Sequence, residues 1–95
     1  MKADLALRGL LALKDGGRAA TLDSLSELKS EIVAARDECA AKSVDLAEAL
    51  AAHPKTEAHR SDLQTELEET RRLEDGFDRL AGQIAAAFQA RENAA

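Results

Sequence analysis

Residues 46–63 read Leu46-Ala47-Glu48-Ala49-Leu50-Ala51-Ala52-His53-Pro54-Lys55-Thr56-Glu57-Ala58-His59-Arg60-Ser61-Asp62-Leu63, and the chain's single proline lies in their middle. Proline disfavours the helical region for the residue before it and is well suited to the first turn of a helix, so His53-Pro54-Lys55 predicts the end of one helix and the start of another. Outward from Pro54 the chain reads as a mirror. Leu46, Cys39, Ile32 and Leu25 recur every seven residues on one side, and Leu63, Thr70, Phe77 and Ile84 do so on the other. Folding back at Pro54 sets Leu46 against Leu63, Cys39 against Thr70, Ile32 against Phe77 and Leu25 against Ile84, all in one register. A seven-residue apolar repeat on two facing helices is the mark of an antiparallel, coiled-coil-like hairpin.

The neighbouring register pairs Leu28 with Leu80, Ala35 with Leu73 and Lys42 with Glu66. Lys42 and Glu66 are therefore expected to meet across the hairpin, where a charged pair in a seam sets register more than it adds stability.

Before the hairpin, Leu5, Leu7, Leu10, Leu11 and Leu13 mark a short helix over residues 3–14, stopped by Asp15-Gly16-Gly17. Glycine ends helices because it enters the left-handed conformation at little cost. The second helix, over 21–52, starts at a capping box on Ser24 with Glu27, or at Thr21 as the competing cap. The third, over 54–91, turns Leu63, Leu67, Leu73, Phe77, Leu80, Ile84 and Phe88 inward. Its Gly76 and Gly82 each cost about 1 kcal/mol relative to alanine and either permit close packing of another helix, the preferred reading, or are simply tolerated. At about 1.5 Å per residue the first helix is about 18 Å long, so it covers only the open end of the hairpin. The expectation is a single all-α domain, residues 1–95: a helical hairpin with a short N-terminal helix packed at its open end, three helices there and a thinner two-helix tip.

Composition agrees with that class. Charged residues make up 33% and hydrophobic ones 45%, the latter mostly Ala and Leu with two Phe and no Trp or Tyr. This is a long-helix composition. A chain of 95 residues buries only about 60% of its unfolded surface, which favours docking or oligomerisation as a source of stability. The net charge of -5 repels phosphate backbones, and Arg71-Arg72 are hemmed in by Glu68, Glu69, Glu74 and Asp75, so direct nucleic-acid contact is not expected.

One cysteine forms no intrachain disulfide, Asp4 and Arg8 interrupt the place of a signal peptide's apolar run, and no stretch approaches about 18 apolar residues. These point to a chain in the cytoplasm or within an assembled particle, with no signal peptide, no transmembrane segment and no membrane partner. The bias toward Ala, Arg, Leu, Glu and Asp is that of a GC-rich genome, bacterial or phage.

The residues that carry chemistry elsewhere are accounted for by the repeat. Cys39 falls in the seam beside Asp37 and Glu38, an environment that disfavours a thiolate. His53 and His59 are six apart with a proline between them, which is not the spacing of a zinc site. The carboxylates of the third helix lack a pocket to drive their pKa values apart. No phosphate loop, dinucleotide fingerprint or serine elbow occurs. No catalytic residue, cofactor, metal or small-molecule substrate is expected.

The function expected is that of a non-enzymatic structural or assembly protein, which self-associates or packs as a subunit of a larger protein complex. The alternative is a small acidic regulator: a chaperone, adaptor or inhibitor, such as a phage-encoded inhibitor of a host nucleic-acid-binding machine. More apolar residues lie outside the seam than two helices bury, and Leu7, Leu11, Val33 and Val44 are the candidates for a protein interface. An apolar stripe through the valines favours assembly, a continuous acidic face the regulator.

Overall fold

The computed structural model describes residues 2–18 and 20–94. Helix α1 runs Lys2–Ala12, α2 Leu22–Ala51 and α3 Glu57–Ala94, with one turn of 3-10 helix at Lys14–Gly17 and no strand among the described residues. The molecule extends 59 × 17 × 16 Å. Its radius of gyration, 16.8 Å, exceeds the roughly 12 Å of a compact chain this long, as a rod built on one long helix must. α2 and α3 pack against each other as the hairpin, and α1 lies on both.

The predicted seam is largely the observed one, and the contact of Lys42 with Glu66 across the hairpin agrees with its register. Leu25, Ile32, Cys39 and Leu46 are buried on α2, and Thr70, Phe77 and Ile84 on α3, with Leu63 half-buried toward the tip. Leu25, Ile32 and Ile84 have no exposed surface at all. The continuous core joins them to Leu28, Ala35, Phe77, Leu80 and Ala81, and α1 closes it with Leu5, Ala6, Ala12 and Leu13. Apolar burial scales with area removed from water, so stability concentrates at this three-helix end.

The helix ends follow local capping. Thr21 caps α2, its Oγ1 accepting from Ser24 N at 3.0 Å, so the threonine prevails over the serine box. After α1, Asp15, Gly16 and Gly17 are all left-handed, at φ 56°, 70° and 80°. Gly17 is also buried, and a Cβ there would stand 3.3 Å from that of Ala87, so glycine is required on both counts. Arg91 Nη1 donates to its carbonyl at 3.0 Å and ties the end of α3 to this turn.

Several expectations are corrected. α3 begins at Glu57 rather than Pro54, because Thr56 Oγ1 accepts from His59 N at 3.1 Å and so defines the cap, while His53 takes φ 57° to leave α2. Leu73 is 47% exposed rather than inward. Glu66, Leu73 and Leu80 lie seven apart along one flank of the seam, and that flank is covered only where α1 reaches it, at Leu80. Gly76 and Gly82 touch no other helix: a Cβ at either would meet nothing within 4 Å. The close approach is made instead at Gly9 of α1, where a Cβ would lie 2.6 Å from Leu80 Cδ2 and 3.1 Å from Ile32 Cδ1. The tip residues Ala52, His53, Ala58 and His59 are exposed.

Lys42 and Glu66 do meet, Nζ to Oε1 at 2.9 Å, with both side chains about half exposed. The pair therefore lies at the edge of the seam and not inside it. The hydrogen bond that Lys42 donates to Glu66, with the charge of that carboxylate, raises the Lys42 pKa. A raised folded pKa gives a contribution fully present below the unfolded lysine value and lost as pH rises through the folded one, so the lysine's charge should support the hairpin at neutral pH and that support should be lost in strong alkali. Lys42→Glu should lower the thermal midpoint, and adding Glu66→Lys should restore it. Equal loss in the single and double variants would reject the pairing.

Between the main core and Leu46 with Leu67 lies a small polar layer. Thr70 Oγ1 donates to the Glu66 carbonyl at 2.7 Å, but Ser43 Oγ is buried with no hydrogen-bond partner. A buried, unpaired hydroxyl is unfavourable and serine is a poorer helix former than alanine, so Ser43→Ala should raise stability by about 1 kcal/mol. Urea denaturation checks this, and a loss of stability would contradict it.

Candidate functional site

The chemically reactive residues do not converge. Cys39 is 1% exposed inside the seam, whereas His53 and His59 are exposed at the tip. No group of three or more His, Cys, Asp or Glu able to hold a metal occurs among the described residues. Among the described residues no helix is long and apolar enough to cross a membrane.

The apolar surface is where the structure departs from a self-contained domain. Buried and exposed positions split α1 by helical period: Leu5, Ala6, Gly9, Ala12 and Leu13 turn toward the hairpin, while Leu7, Leu10 and Leu11 turn away and are 55–60% exposed. Gly9 sits in the middle of the buried stripe, so α1 seats deeply and its three outer leucines form a ridge. Beside the ridge runs a groove between α1 and α3, lined by Ala6, Leu10, Leu73, Gly76, Phe77 and Leu80, with Arg72 and Arg79 on its outer bank. Leu10 belongs to both ridge and groove. Single exposed leucines are ordinary, but a contiguous ridge and groove is the kind of patch that marks an interaction surface.

Of the four residues expected at an interface, Leu7 and Leu11 are on this ridge. Val33 is not: it is half-buried and packs against the core, because its position on α2 turns it toward the hairpin's neighbours. Val44 is 56% exposed but stands twelve residues beyond Ile32, about 18 Å along α2 from the level where Gly9 docks, so it is separate from the ridge. No apolar stripe runs through the two valines, so that sign of assembly is lacking and any apolar docking surface lies on α1 and its groove instead. Leu10 and Leu73 are the members that sequence reasoning left out. The i, i+3, i+4 spacing of Leu7, Leu10 and Leu11 held the first; Leu73 needed the position of α1.

Charge divides along the rod. Residues 37–69, which make the two-helix tip, carry nine acidic and three basic side chains, net -6, while the rest of the chain carries nine acidic and ten basic, net +1. Near the boundary Arg36 bridges to Asp78 at 2.9 Å and to Asp37 at 3.1 Å, which raises its pKa. On the three-helix end Arg8 pairs with Glu31 and so fastens α1 to α2. Comparison of the chain with protein-family models, curated proteins and solved structures finds no match, so what the molecule does is read from this ridge, this groove and this division of charge.

Proposed function

We propose that the protein is a non-enzymatic assembly module, a helical hairpin that joins copies of itself or subunits of a larger complex through its three-helix end. One observation carries this reading: Leu10 and Leu73, each about half exposed or more, line one groove between α1 and α3, and Leu7 and Leu11 stand exposed on the outer side of the same α1. A small chain with a modest core gains from covering such a surface. Mass in solution, measured by sedimentation over a wide range of concentrations, is the test. A chain that stays monomeric and fully folded at every concentration defeats self-association.

The second reading, an acidic regulator, is favoured by the tip, whose net -6 would suit a basic groove on a partner. The readings are separable by mutation. Removing tip carboxylates should abolish a regulator's binding and leave assembly intact, while polar substitutions on the α1 ridge should do the reverse.

A further inference from the structure

We infer that the groove between α1 and α3 receives α1 of a second copy, in a two-fold dimer whose acidic tips point away from each other; this deepens the assembly reading and depends on it. Three observations select the occupant. The ridge and the groove lie side by side and share Leu10, so the surface is complementary to itself: a two-fold axis near Leu10 lays the ridge of each copy in the groove of the other. The groove is lined in part by Gly76, whose lack of a side chain no described residue requires, since a Cβ there would meet nothing within 4 Å among them. A glycine in the interior of a long helix is unfavourable on its own, and at this place it lets a helix from outside approach the α3 backbone.

Charge gives the direction. A strongly basic partner would be drawn to the tip at net -6, whereas the three-helix end, at +1, is where two copies meet with least repulsion. Joining there also separates the tips by the full length of the dimer. α1 docks with Gly9 on Leu80, fourteen residues before the end of α3, so a two-fold axis at that level makes the copies overlap by about 42 Å, and two rods of 59 Å give a dimer on the order of 75 Å long. Two rods side by side would keep the length of one.

The test uses the full chain. Sedimentation measures dimer dissociation, small-angle scattering the length of the dimer, and circular dichroism confirms that each variant is folded. Leu10→Ser and Leu73→Ser, which leave net charge unchanged at largely exposed positions, should each weaken the dimer about 10-fold or more. Gly76→Ala and Gly82→Ala should both raise the thermal midpoint of the dilute monomer, because both replace an unpacked helical glycine. Only Gly76→Ala should weaken dimerisation, by several-fold, since Gly82 is turned about 120° round the helix from it. The proposal is overturned by a monomer at all concentrations, by a dimer only as long as one rod, or by a dimer indifferent to Leu10→Ser and Gly76→Ala. A dimer weakened by Val44→Ser but not by Leu10→Ser overturns the groove while leaving the assembly reading in place.

Discussion

Phe77→Ala should cost about 3–5 kcal/mol, the usual range for emptying a buried aromatic site. Phe77 is 3% exposed, packs in the cluster that holds Ile32, Leu80 and Ile84, and stands where Ala6 of α1 meets α3. The cavity would therefore open at the junction of all three helices, with no flexible loop nearby to collapse into it. At about 0.05–0.15 kcal/mol per residue the whole domain has about 5–14 kcal/mol, so this one change removes about a fifth of it or more. Leu73→Ala, one turn earlier on the same helix, removes a side chain that is 47% exposed and should cost less than about 1 kcal/mol in the monomer. Chemical denaturation of the two variants checks the contrast, and similar losses would mean that the core is not centred where α1 docks.

Gly9→Leu should detach α1 while the hairpin survives. A Cβ at position 9 already lies 2.6 Å from Leu80 Cδ2 and 3.1 Å from Ile32 Cδ1, and both of those side chains are buried, so neither has open space to yield into. Leucine gains about 1 kcal/mol in helix propensity over glycine, but overpacking a filled site costs about 1–3 kcal/mol or more, and a four-carbon side chain here stands at the upper end. α1 has an easy escape because it is short and joined through left-handed residues at 15–17. The expected readout is tryptic cleavage after Arg8 and Lys14 at protease levels that leave wild type intact, with helix content falling by about the 11 residues of α1. The dimer should disappear with it, because Leu10 leaves the groove. An intact, protease-resistant α1 in Gly9→Leu would show that the close approach is not what seats this helix.

Much of the molecule was legible in the sequence because the hairpin is written twice. Leu25, Ile32, Cys39 and Leu46 repeat at the helical seam period, and their counterparts after Pro54 repeat in the same phase, so one turn sets the register of both. Cys39 and Thr70 were accounted for as seam residues on that basis, and their burial agrees. The surface was less legible. Leu73 has the spacing of an inward residue, yet it lines the open groove between α1 and α3 and stays 47% exposed. Val33 and Val44 have similar sequence surroundings, but one lies at the level of the three-helix core and the other beyond it.

Sequence alone determined the class, the turn at Pro54, the seam and the meeting of Lys42 with Glu66, because these follow from local helical period and from a single reversal of direction. Where α1 lies on the hairpin follows instead from packing between residues far apart in the chain. That placement depends on the missing Cβ of Gly9 against Leu80, a contact between residues 71 positions apart, which no local period records. From it follow the covered flank at Leu80, the open one at Leu73 and the ridge of Leu7, Leu10 and Leu11 left facing outward.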